Sequence, residues 1–307
     1  MVEYINIDKK KAFYADMALI LAAALWGGEY IAIKFALNEF SPLYLNVFRF
    51  CLGTCVTAAI FRKRIKIINR DYLKGGVFLA ISSFAGYAFM TMAMLHTTVA
   101  TIAFLVATYT VWVPVLTVII YKRKPQWYIL CGVFLCILGV YFLTIQGDLK
   151  FGLGGVLGLG SAIAFSFSII LKEYYVKRLD AVAITITQDG FTALFYLFAA
   201  VILEPIPTFS GHSESLIALL YMVFGATVAA HLIISVSLKY TSATRQVIII
   251  SLESVFASLL GYFMLKEAIT LSMILGMGLI ISAIILIETE LKFVISFIKK
   301  IRYKHSS

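Results

Sequence analysis

Apolar residues run along this chain in blocks of about twenty, separated by short polar stretches, and a bilayer-crossing helix needs about 20 mostly apolar residues. The runs predict ten helices, at roughly 15–36, 41–61, 74–95, 98–121, 126–145, 152–172, 181–203, 215–237, 241–264 and 268–288. Little chain is left between them. The predicted fold class is an all-α integral membrane protein with ten transmembrane helices.

Composition agrees. Of 307 residues, 62% are hydrophobic and 14% charged, with mean hydropathy +0.96, where an ordinary soluble domain has about 25% charged residues. The net charge of +10 is explained by position. On the predicted topology one side of the membrane takes 21 of the 26 Lys and Arg, including Lys9 to Lys11, Arg62 to Lys66, Lys122 to Lys124, Lys172, Lys177, Arg178 and the C-terminal cluster. The other side takes Lys150 and Lys266, which leaves Lys34, Arg49 and Arg245 within or near helix ends. The positive-inside rule makes the rich side cytoplasmic, so both termini are expected there, in a multi-pass protein of the cytoplasmic membrane. Topology accounts for the charge without nucleic acid as a partner. The first apolar segment is too long for a signal peptide and carries Glu29 and Lys34, so it is expected to stay as helix one. Cys51, Cys55, Cys131 and Cys136 fall within predicted helices without paired spacing and read as small buried apolar residues.

The two halves of the chain match weakly. "TIAFLVATYTVWVPVLTVII" from Thr101 and "TSATRQVIIISLESVFASLL" from Thr241 share Thr101/Thr241, Ala103/Ala243 and Val115/Val255. After a slip, "GVFLCILGV" from Gly132 lies on "GMGLIISAI" from Gly276, and "IAIK" (Ile31 to Lys34) lies over "IILK" (Ile169 to Lys172). This predicts two five-helix repeats, 15–145 and 151–288, followed by a basic amphipathic tail, 289–307, along the inner leaflet. An odd number of crossings turns the second copy upside down, the inverted-repeat plan of many secondary transporters with a mid-bilayer site between the halves.

The residues "WGGEYIAIK" from Trp26, "SPLYLNVFR" from Ser41 and "TSATRQVIIISLESVFASLLGYFMLKE" from Thr241 resemble the EamA branch of the drug/metabolite transporter superfamily, over about residues 15 to 288. The resemblance implies a ten-helix carrier of small metabolites, often an exporter of amino acids or related compounds. The chain departs from that pattern at Glu29, where a small or amide polar residue is common, and at Ser254, where proline is common; Pro114 keeps the proline in the first half.

Charges at mid-membrane cost at least about 2.5–3.5 kcal/mol each on insertion scales and mark candidate sites. Glu29 lies ten residues before Glu39 in the first external turn and Arg49 ten after it, so the two share a depth and are expected to pair. The pair either locks helix one to helix two or lets Glu29 meet a substrate ammonium or a proton. Glu253, midway along helix nine, has no basic residue opposite it, which suits proton coupling, a polar cavity contact, or a structural bond to a backbone carbonyl. Asp189 with Gln188 reads as helix packing, and His231 and His96 as satisfied interfacial residues. Lys34 and Arg245 are expected to snorkel to the two surfaces. Gly27 and Gly28 clear the approach to Glu29, while Trp26, Tyr30, Tyr87, Tyr109 and Trp112, with Ser82 and Ser83, bring aromatic and polar groups to central depth, for packing or for ligand contact. The "GLGGVLGLG" run lacks phosphate-loop spacing, and Gly154 and Gly158 give a close-packing face.

The candidate substrate-binding or coupling set is thus Trp26, Gly28, Glu29, Tyr30, Arg49, Tyr87, Tyr109, Trp112 and Glu253. The expected partners are a small-molecule substrate, the lipid bilayer and, as a candidate, protons, with no cofactor or metal implied. A membrane-embedded enzyme acting on lipid or peptide would need a nucleophile and base or a metal cluster, and neither HExxH nor GxSxG occurs. A non-transporting receptor or assembly subunit would need a folded loop domain, and the loops are short.

Overall fold

The structure, a computed structural model, describes residues 9–120, 127–146, 150–207 and 211–289. The predicted tail falls outside the described residues, apart from Thr289. Helices α1 (Lys9–Ala36), α2 (Pro42–Ile60), the single turn α3 (Arg62–Ile65), α4 (Arg70–Ala93), α5 (Val99–Ala107), α6 (Tyr109–Ile120) and α7 (Trp127–Thr144) come first. A two-residue antiparallel pairing, β1 (Ile145–Gln146) with β2 (Lys150–Phe151), follows. Next come α8 (Leu153–Val176), α9 (Ala181–Leu203), α10 (Ser213–Tyr221), a π-helical segment (Met222–Ala229), α11 (Ala230–Ser237), α12 (Ala243–Ile250), α13 (Leu252–Leu265) and α14 (Leu271–Thr289).

Eight of the ten predicted crossings are helices long and apolar enough to cross a membrane; the other two, α7 and α14, hold the shorter apolar stretches Leu130–Phe142 and Leu271–Ala283. Large apolar side chains such as Phe198, Leu203, Phe263 and Leu271 face outward, as a surface solvated by lipid requires. Cys55 and Cys131 are exposed on this surface, not buried as expected, because their helix faces point away from the bundle; Cys136 is buried.

Three predicted helices are interrupted. The spans Val99–Ile120 and Arg245–Leu265 are built alike: Thr98 caps the Thr101 amide at 3.2 Å and Ser242 caps the Arg245 amide at 3.2 Å. Each span then breaks, at Thr108 and Ser251, where the hydroxyl donates to the carbonyl three residues back at 2.6 Å (Leu105 and Ile248), a local bond that competes with the helical ladder. Pro114 removes a further donor from α6. The third interruption is the π-helical segment.

The packing has a regular pattern. Helix α1 lies against α10, α11 and α13, while α8 lies against α4, α5 and α6; α2 packs on α9, and α7 on α14. Helices α7 and α14 meet where Gly139 lacks a side chain: a Cβ there would lie 2.6 Å from the Ile280 side chain and 2.8 Å from the Gly276 carbonyl. The predicted small-residue face of α8 is likewise close-packed, with Gly158 against Leu105 and Gly154 against Thr97.

At the basic end of the bundle Arg64 pairs with Asp180 (3.0 Å) and Arg245 with Asp16 (2.6 Å). At the opposite end carboxylates cap helix N-termini: Glu204 accepts from the Leu43 and Tyr44 amides at 3.0 and 3.2 Å and from Ser41 at 2.5 Å. Glu267 accepts from the Val99 amide at 2.9 Å. Lys34 is half-buried, and its ammonium reaches the connection beyond the end of α4, where it donates to the orphan Met94 and Thr97 carbonyls at 2.5 and 3.0 Å.

Candidate functional site

The two adjacent glycines of α1, Gly27 and Gly28, explain how it enters the middle of the bundle. A Cβ on Gly27 would lie 2.4 Å from the Cβ of Phe256 and 3.0 Å from the Glu253 carbonyl, so only glycine lets α1 seat directly on α13. A Cβ on Gly28 would lie 2.3 Å from the Tyr221 hydroxyl, whose proton goes to the Leu25 carbonyl at 2.8 Å. With both glycines clearing the backbone, Trp26, Glu29 and Tyr30 turn toward a central cavity of about 60 Å³, room for a few waters. Its walls come from α1, α4, α5, α6, α8, α9, α11, α12 and α13. Nearly all the wall residues are buried, and a few polar groups stand in a mostly apolar lining.

Glu29 and Arg49 meet as the sequence predicts, Arg49 Nη1 donating to Glu29 Oε1, both side chains buried. Arg49 Nε donates to the Thr227 hydroxyl at 2.7 Å, and its guanidinium carbon lies 4.4 Å from the Tyr87 ring centroid and 4.9 Å from that of Phe50. The pair is one corner of a larger network. Trp26 Nε1 donates to the Ala226 carbonyl at 3.0 Å, so α1 and α2 both bond the π-helical segment, through Ala226 and Thr227.

Among the described residues Glu253 has no basic partner, as expected, and no bond to a backbone carbonyl. Its Oε1 accepts from two phenols, Tyr109 at 3.1 Å and Tyr30 at 3.3 Å, brought together from α6, α1 and α13. Two donors on one oxygen satisfy a buried carboxyl without a counter-ion.

Asp189 and His231, read from sequence as packing and interfacial residues, are partners. His231 Nδ1 donates to the Asp189 carboxylate at 3.0 and 3.2 Å, and Nε2 shares a 2.9 Å hydrogen bond with the Tyr87 hydroxyl. With Nδ1 donating, a neutral ring accepts at Nε2. His231 lies on the cavity wall, and Trp26 meets its ring edge-on at 6.0 Å. The two sequence readings missed the link although the partners sit on consecutive crossings, α9 and the span Ser213–Ser237, where counting from the connection brings them to similar depth.

Lys172 is the largest revision. Counted among the basic loop residues, it instead lies inside α8, 6% exposed, on the cavity wall. The signal was readable: Phe165, Ser168, Ile169 and Lys172 recur at helical spacing, and all four line the cavity. Beside them Ser83 and Ser168 hydroxyls meet at 3.2 Å, and Gln188 Nε2 donates to Ser83 at 2.7 Å. Gln246, also on the wall, was not singled out.

Of the predicted set, Trp26, Glu29, Tyr30, Tyr87, Tyr109 and Glu253 converge on the cavity. Arg49 stands behind Glu29. Gly28 instead borders a separate groove of about 480 Å³ between α1, α10 and α13, divided from the cavity by Tyr221. Trp112 is not on the cavity wall, since the break at Thr108 leads α6 past the cavity after Tyr109. Among the described residues no group of three or more His, Cys, Asp or Glu is placed to hold a metal ion.

Known proteins resemble the chain along nearly its whole length. The model of the EamA-like transporter family matches residues 13–145 and again 152–289. An uncharacterized transporter of Archaeoglobus fulgidus is 31% identical over 278 residues, covering 91% of this chain and 87% of its own. The uncharacterized transporter YoaV of Bacillus subtilis is 23% identical over 273 residues, 86% of this chain and 93% of its own. A solved crystal structure shares the fold at TM-score 0.67 and 15% identity, over 90% of this chain and 96% of that one. Multiple apolar helices, a central cavity among them with ionisable groups on its wall, and these likenesses agree: the chain is a multi-pass membrane protein and belongs to the EamA-like transporter family.

Proposed function

We propose that the protein is a secondary transporter that exports small metabolites, amino acids or related compounds, across the cytoplasmic membrane by alternating access. The observation that carries this reading is the central cavity, walled by helices from both matched segments and bringing Glu29, Glu253, His231 and Lys172 into a mostly apolar lining. A site shared between two halves changes its exposure when the halves rock.

In this reading ten crossings form two inverted five-helix halves, 15–145 and 151–288. The exchange of packing partners between α1 and α8, the self-pairings of α2 with α9 and α7 with α14, and the twin breaks at Thr108 and Ser251 all support it. The basic end faces the cytoplasm with both termini, by the charge asymmetry. The pairs Arg64–Asp180 and Arg245–Asp16 close that end, and the carboxylate caps Glu204 and Glu267 close the other; each bond joins one half to the other. Trp26, Glu29, Tyr30, Tyr87, Tyr109 and Glu253 meet the solute, Arg49 positions Glu29, and Gly28 admits the Tyr221 ring, which lines the neighbouring groove.

The test is flux. Purified protein in proteoliposomes is offered radiolabelled amino acids and nucleobase-like compounds, with and without a pH gradient. Saturable flux of at least one solute is expected, and no flux of any solute overturns the carrier reading. Proton coupling is assigned to Glu253; Glu253→Gln is expected to remove the response to the gradient, and an unchanged response rejects that role.

A further inference from the structure

The charged groups around the cavity are matched, with one exception. Glu29 has Arg49, His231 has Asp189, and Glu253 has two phenols. Lys172 has neither a hydrogen bond nor an ion pair among the described residues, although it is 6% exposed. Asp189, the carboxylate that attracts it electrostatically, is already held by His231. A buried ammonium without a partner is costly, so its retention on the wall of a mostly apolar cavity calls for an anion that comes and goes.

The surroundings say which kind of anion. Lys172 is one helical turn from Ser168 on the same face of α8, next to the Ser83 and Gln188 chain from α4 and α9. The carboxyl with its phenols is built from the other elements, α1, α6 and α13. One group of helices therefore offers a free cation and the other an acceptor-rich carboxyl. The buried Oε1 atoms of Gln188 and Gln246, both on the cavity wall, also have no donor among the described residues and await one. The wall also holds Tyr87, Phe165, Ile169 and Ile234, which suit an uncharged side chain.

We infer that Lys172 is a specificity-determining residue that binds the carboxylate of the transported solute, so that the protein selects amino acids over amines or amides of the same side chain. Its ammonium donates to the carboxylate while the solute's own ammonium donates to Glu253 and the Gln246 carbonyl. This rests on the carrier reading above and adds a requirement to it: a solute lacking the carboxylate leaves the buried Lys172 charge unmatched.

The experiment measures thermal stabilisation of the full chain in detergent by a panel of amino acids, each beside its carboxamide and its decarboxylated amine, with inorganic phosphate as a separate arm. At least one amino acid is expected to bind, with its amide and amine weaker by roughly ten- to a hundredfold, the value of one hydrogen-bonded charge. Lys172→Met, nearly the same length, is expected to abolish that ratio, and Lys172→Arg to retain most of it. Amides and amines binding as well as the acids, or an unchanged ratio in Lys172→Met, overturns the inference and leaves the carrier reading standing. Phosphate binding that competes with no amino acid also overturns it. Should Lys172→Met not fold, the ratio in the unmodified protein still decides, since equal affinities refute carboxylate recognition outright. If nothing in the panel binds and proteoliposomes show no flux, the carrier reading itself fails.

Discussion

Removing one member of the buried Glu29–Arg49 pair has a consequence that the geometry lets one estimate. The Arg49 side chain is fully buried and the Glu29 side chain is 3% exposed. Arg49→Met leaves the Glu29 carboxylate without its counter-ion and empties the bond to Thr227 and the two ring contacts. Losing one partner of a buried pair costs about 3–5 kcal/mol. Glu29→Gln is milder, about 1–3 kcal/mol, because the amide still accepts one hydrogen bond and the guanidinium keeps Thr227 and the rings, contacts worth roughly 0.5–2 kcal/mol each. The double variant holds no unmatched charge, so its cost is expected to fall short of the sum of the single ones by about 2 kcal/mol. Unfolding of the four proteins in one detergent, as a double-mutant cycle, measures this. Additivity within about 0.5 kcal/mol would refute the ion pair as an energetic unit.

Other substitutions test the neighbouring geometry. Gly27→Ala drives a methyl into the α13 backbone and is expected to cost about 1–3 kcal/mol in the same unfolding assay. Gly28→Ala meets only the outer end of the Tyr221 ring, so adding Tyr221→Ala is expected to restore stability to Gly28→Ala and not to Gly27→Ala. Glu204→Gln weakens the cap on α2 by about 1 kcal/mol and is expected to favour opening at the end away from the basic loops, read as faster maleimide labelling of a cysteine placed at Tyr44. Tyr30→Phe with Tyr109→Phe strips both donors from Glu253, and flux in proteoliposomes is expected to fall more than with either change alone.

Much of this architecture is legible in the apolar runs, because a lipid surround forces backbone bonding into helices whatever the side chains do. The Glu29–Arg49 contact is legible for a related reason: a short turn fixes the depth of both residues, so counting from the loop is measuring along the normal. Partners that do not share a hairpin are not accessible this way. Glu253 and its phenols meet through packing of distant helices, and sequence separation carries no depth difference that would single them out; Asp189 and His231 do share a hairpin, and reading each residue alone hid a pairing that the same counting reaches. Lys172 was hidden by its place at the end of an apolar run, where a snorkelling loop residue and a buried one look the same; only the stripe with Ser168 and Phe165 distinguishes them. The helix breaks were hidden because Thr108 and Ser251 are ordinary residues in apolar helices until their hydroxyls bond backward. The caps also refine the repeat. Thr98 and Ser242 stand 144 residues apart, the spacing of Gly132 and Gly276, whereas the sequence match at Thr101 and Thr241 uses 140, about one turn out of register.

Transport through a cavity opened alternately at its two ends is tested most directly by locking each end in turn. With Cys51, Cys55, Cys131 and Cys136 replaced, paired cysteines at Arg64 and Asp180 lock the basic end when bridged by a cleavable bifunctional thiol reagent, and a pair at Ser41 and Glu204 locks the other. Radiolabelled solute flux in proteoliposomes is then measured before bridging, after it, and after cleavage of the bridge. Loss of flux with either end bridged, restored on cleavage, is the expected result; undiminished flux with both ends bridged would contradict it.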